Sequence, residues 1–213
     1  MGYATDVIRH HAPRTCRGLA PRPVRELLRT ITDPNLDWSG RWRPEWREFT
    51  QACEELSVAD GRLLLEAAAV EIINAPSVFL DPNSLLIMRA VTANPAPEYL
   101  PLLEALVRQV PERARLQLVR SILEIAARAN SARAARLGLD ALNGYVAAGE
   151  LAPSPYDTPL SWLRLHPVHP TEVLPRLIVL ARHPALAHHV EAVVTAYAAA
   201  GYGEGPLGHA SAC

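Results

Sequence analysis

The sequence contains no lysine: all 21 of the basic residues among its 213 are arginine. A Schiff-base lysine, a phosphate-cradling loop lysine and a lysine general base are therefore excluded, because each needs an amine that guanidinium does not replace. Cysteine is scarce as well. Cys16, Cys53 and Cys213 are odd in number and far apart, which gives neither a disulfide framework nor a paired zinc-knuckle spacing and predicts a reducing, cytoplasmic compartment. No excess charge of either sign is present. With 22 acidic residues against the arginines, the chain lacks the overall positive field with which sequence-independent DNA binders displace counterions, which argues against nucleic acid as its partner. Long apolar runs are missing too. The stretch 63–73 is broken by Glu66 and Glu71 and the stretch 85–91 by Arg89, so no membrane span is expected. Residues 1–30 hold no apolar run of the length an export signal needs. Together with the richness in alanine, arginine and proline, the missing lysine fits a GC-rich coding bias of a bacterial kind, in which arginine takes over lysine's surface duties.

What is present is ample apolar material, 49% of the chain, enough for one large domain or two small ones. Its periodicity is helical nearly everywhere and shows no strand-type alternation. Glycines and prolines cut the pattern into helices expected at 23–31, 44–56, 58–74, 82–93, 97–109, 112–129, 131–148, 158–165, 171–182 and 184–200. Ser57 is placed to cap one helix, Pro82 to open another after Asp81, and Thr171 and Glu172 to form a first turn. The expected fold is all-α. It divides into a basic arm at 1–22, a helical domain at 23–200 and a glycine-rich tail at 201–213. The turn-rich stretch GELAPSPYDTP at 149–159 is the candidate internal joint.

The strongest signal is an internal repeat. Residues 97–108 read PEYLPLLEALVR and residues 171–182 read TEVLPRLIVLAR, identical at six of twelve positions. The copies start 74 residues apart, which is two units of about 37. Each is followed by a turn with a proline, Pro111 or Pro184, and then by a second helix. In those second helices Val119, Ile122, Leu123 and Ala126 correspond to Val190, Val193, Val194 and Tyr197. A proline early in each first helix is tolerated, because amide hydrogens in a first turn have no partner inside the helix.

The segment Leu100-Pro101-Leu102-Leu103 with Leu106, followed by Arg115 after the turn, resembles the HEAT-repeat family over 97–130, and less closely over 171–201. The turn lacks that family's usual aspartate. The resemblance implies stacked antiparallel helix hairpins, a short HEAT-like α-solenoid, where composition and periodicity taken alone equally allow an irregular helical bundle. Units of this kind close their core only by stacking, and the resulting surface usually grips another macromolecule.

The polar positions of the second helices form the candidate binding strip. Arg113, Gln117, Arg120 and Glu124 lie at helical spacing, and His188, Glu191 and Thr195 occupy the places matching the last three. The leading expectation is a non-enzymatic module that binds a protein or peptide there. The alternatives are an enzyme or accessory subunit of small-molecule metabolism, with a pocket built from His188, Glu191 and Arg120, and a nucleic-acid-binding helical repeat.

No catalytic motif, cofactor or metal site is expected. Five of the eight histidines fall between His166 and His189, yet no cysteine lies near them and prolines flank the His166/His169 pair. There is no glycine-flanked serine elbow. Residues 1–30 carry a local charge of +4 and residues 48–75 one of −5, so the arm is expected to meet the hairpin formed by the helices expected at 44–56 and 58–74. Trp38, Trp42 and Trp46, interleaved with Arg41, Arg43 and Arg47, read as a cap over an end hairpin before they read as a base-stacking surface.

Overall fold

A computed structural model of the chain describes residues 56–74, 94–110, 112–149 and 159–202. Residues 1–55, 75–93, 111, 150–158 and 203–213 lie outside the described set. With them go the arm, the tryptophan cap, the helices expected at 23–31, 44–56 and 82–93, the body of the 149–159 joint and most of the tail. Among the described residues every regular element is helical, as expected. They are α1 (Val58–Asn74), a 3-10 turn (Pro97–Tyr99), α2 (Leu100–Leu106), α3 (Glu112–Arg128), α4 (Ala132–Ala147), α5 (Ser161–Leu165), α6 (Pro170–Leu180), α7 (Pro184–Tyr197) and a closing π turn (Ala198–Tyr202). None of these helices is long and apolar enough to cross a membrane.

Contacts divide the chain into two compact units, residues 1–121 and 122–213, with the division inside α3. In the first unit α1 packs against the 3-10 turn and α2. Ser57 caps α1 as its position predicts: its hydroxyl accepts from the Asp60 N–H at 3.1 Å and donates to the Asp60 carboxylate at 2.8 Å, satisfying a donor that the first turn leaves free. The Asn94 side-chain amide donates to the Leu56 carbonyl just before that cap. Tyr99, Leu103 and Leu106 enter the core through one face of the 3-10 turn and α2. Gly61 gives Tyr99 room, because a Cβ there would overlap the Tyr99 hydroxyl oxygen.

In the second unit α4 packs against α6, α5 against α7, and α6 against α7 across the short turn at 181–183. The turn from α3 to α4 follows from Asn130, whose left-handed backbone (φ 51°) ends α3 and lets the Ser131 N–H reach back to the Ala126 carbonyl at 3.1 Å. Ser131 then caps α4 by accepting from the Ala134 N–H at 3.3 Å. Gly138 lets α4 approach α3, since a Cβ would fall 2.6 Å from a methyl carbon of Leu123. A four-charge ladder joins α4 to α6 on the outside. Arg136 meets Glu172 at 3.0 Å, and Arg176 meets both Asp140 at 2.8 Å and Glu172 at 3.3 Å.

The repeat is legible in the burial. Val173, Leu177 and Leu180 are buried at the places matching Tyr99, Leu103 and Leu106, and Val190, Val193 and Tyr197 match buried Val119, Ile122 and Ala126. The prolines differ. Pro101 falls in the first turn of α2, whereas α6 starts at Pro170 and carries Pro175 in its interior, against the expectation of an early position in both copies. Pro175 has no N–H to give to the turn before it. The Arg176 guanidinium, donating to the Glu172 carbonyl at 2.9 Å, strengthens that turn from outside. Thr171 and Glu172 fall in the first turn of α6, as expected, and His169 is the residue before the helix begins.

Candidate partner-binding face

The seven residues of the expected strip have different environments. Arg113 lies in the first turn of α3. Gln117 is half-buried, with an Oε1 that is shut off from solvent and accepts no hydrogen bond. Arg120 is half-buried and already engaged with other groups. Glu124 corrects the expectation of a surface strip on α3: its side chain is only 1% exposed and meets Arg128 at 2.7 Å. The physical reason is the burial of α3 nearly all round from Leu118 to Ala127, which leaves a carboxylate there to survive only by pairing with a cation one turn on.

On α7 the outcome is different. His188, Glu191 and Thr195 are all exposed along one face, opposite the buried line of Leu186, Val190, Val193 and Tyr197. The buried line repeats every three to four residues, so the polar positions between must point away from it.

Helix α5 packs on α7 and contributes Arg164 and Leu165, which the sequence pattern did not single out. Leu165 is exposed over 62% of its surface, the most of any large apolar residue among those described, and Arg164 and His166 beside it are exposed too. Five residues are too few for a period to show, so only the flanking Leu163, buried at 0%, would have hinted that Leu165 faces outward. Trp162 anchors α5 inward. The Arg128 guanidinium lies 5.9 Å from its ring centroid and the His166 ring stacks on it at 6.0 Å.

The loop from α5 to α6 is held by α7. The Tyr197 hydroxyl accepts from the Val168 N–H at 3.1 Å and donates to the Val168 carbonyl at 2.6 Å. Burial raises the Tyr197 hydroxyl pKa to about 12, against the smaller lowering by its Val168 hydrogen bond. His169 then takes a left-handed backbone, φ 49°, to start α6.

Among the described residues no three histidine, cysteine, aspartate or glutamate side chains stand close enough to hold a metal ion. His188 and His189 approach with ring centroids 5.9 Å apart but tilted by 56°. Comparison with protein-family models, with curated proteins and with solved structures finds no match for this chain.

Proposed function

We propose that the chain is a helical-repeat module that binds a protein or peptide partner on the layer formed by α5 and α7, without catalysis of its own. The observation that carries this reading is the exposed row His188, Glu191 and Thr195 on α7, beside the exposed Leu165 on α5. Exposed apolar surface rimmed by polar groups is a recurrent mark of interaction sites.

The shape expected of such a module is a short HEAT-like stack, and the packing of the second unit supports it. The matching segments start two repeats apart, and α4 with α5 fills the one repeat between them. Its first helix packs on the first helix of the next unit and its second on the second, the arrangement that lets hairpins close one another's cores.

The test is a photo-crosslinking amino acid placed at Thr195, with the same group at exposed Ala147 on α4 as control. In an extract of the native source, a discrete crosslinked protein is expected from position 195 and not from position 147. Equal crosslinking from both positions, or none from 195, would remove α7 from the binding face.

A further inference from the structure

The strip along α7 has two chemically different ends. The helix has 14 residues, roughly 20 Å of axis. At its C-terminal end the bond pair between Tyr197 and Val168 ties down the segment leaving α5, and Tyr202 lies 5.9 Å from the Tyr197 ring. Leu165, three residues before Val168, is 62% exposed and Tyr202 40%, so this end presents large apolar side chains, with exposed Arg164 and His166 on either side of Leu165. At the other end Arg182 stands exposed in the turn leading into α7, followed by His188.

Charge along the strip is unbalanced. In the second unit Glu124, Asp140 and Glu172 are all committed to ion pairs, as are Arg128, Arg136 and Arg176, and Arg133 is engaged with other groups. Among the described residues of that unit, this leaves Arg164 and Arg182 exposed and without an ion-pair partner, against one uncommitted carboxylate, Glu191. A carboxylate arriving here finds two free guanidinium forks. An arginine arriving finds only Glu191.

We infer that the partner is an acidic peptide segment with a bulky apolar side chain, which seats that side chain on Leu165 and Tyr202 and pairs its carboxylates with Arg164 and Arg182. This rests on the reading of α5 and α7 as the binding layer. About six extended residues span the strip, at roughly 3.3 Å each.

The test is panning of a random dodecapeptide library on the immobilised full-length chain, followed by fluorescence anisotropy with the most enriched peptide. The recovered pool should be enriched in aspartate and glutamate together with leucine, phenylalanine or tryptophan. Affinity should fall by about tenfold or more in Leu165→Glu and in Arg164→Glu, and rise by about two- to threefold in Glu191→Gln. All three positions are exposed, and circular dichroism checks that each variant keeps its helix content. A neutral or basic pool, or an acidic pool whose binding ignores both charge variants, overturns the acidic-partner inference. If such a pool still loses binding when Thr195 is made bulky by Thr195→Trp, the binding layer itself stands. No retained peptide on the intact chain overturns both.

Discussion

The hydroxyl of Tyr197 brackets the peptide unit of Val168, accepting from its N–H at 3.1 Å and donating to its carbonyl at 2.6 Å. One side chain on the last turn of α7 thereby satisfies both polar groups of a loop residue 29 positions earlier. Tyr197→Phe keeps the ring and removes both bonds, leaving Val168 to find water in a half-buried setting. The expected cost is about 1–3 kcal/mol, read as a lower urea midpoint with an unchanged slope. Hydrogen exchange at the Val168 amide should speed up more than at amides in the middle of α4.

Alkaline pH should loosen both units through their buried tyrosines. Burial raises Tyr99 and Tyr197 each to about 12, with Glu98 adding to the effect at Tyr99. The native pKa lies above the unfolded value near 10, so the native state holds these protons more tightly. Their contribution is complete below pH 10 and is lost as pH rises from 10 toward 12. Tyrosinate absorbance near 295 nm followed across this range should show two of the chain's tyrosines ionising only together with loss of helical circular dichroism. In Tyr197→Phe the loss due to that residue disappears. Early ionisation of all tyrosines with the helix signal intact would contradict the tight burial of both hydroxyls.

Arg128 holds a buried carboxylate, and that relationship explains why the strip on α3 was misread. Glu124 shows the spacing of a surface position, yet its side chain is 1% exposed and pairs with Arg128 at 2.7 Å. Arg128→Ala should cost about 2–3 kcal/mol, because an ion pair broken on one side leaves the other charge without compensation. The double variant Glu124→Gln/Arg128→Ala should recover part of that loss, as thermal unfolding of the four proteins in the cycle would show.

The helices of the described residues were legible because their signals are local. A 3.6-residue period, Ser57 and Ser131 at helix starts and the proline after Val110 mark α1, α3 and α4 to within one residue and α2 to within three. Burial of polar positions was not legible, since it depends on what lies over a helix rather than on the helix itself. The Glu124 and Arg128 spacing was the available hint, but the same pair also stabilises exposed helices. The outward face of α5 was not legible for another reason: the helix is five residues long, less than two turns and too short to carry a period.

Two glycines of α4 should respond to alanine with opposite sign. Both lie inside the helix, where glycine costs backbone entropy relative to alanine. At Gly144 nothing stands within 4 Å of an added Cβ, so Gly144→Ala should stabilise by about 0.5–1 kcal/mol. At Gly138 the added carbon would meet two side-chain carbons of Leu123 at 2.6 and 2.8 Å, with an Ile122 methyl at 3.2 Å. Both partners are fully buried on α3, so neither can swing into solvent, and α4 must move away from α3 or Leu123 must leave its rotamer. Gly138→Ala should therefore destabilise by about 1–3 kcal/mol despite the better helix propensity. Pairing it with Leu123→Ala tests the cause. If the clash is with Leu123, the two changes together should cost less than the sum of their separate costs. A simple sum would place the constraint on Gly138 elsewhere than at the α3–α4 contact.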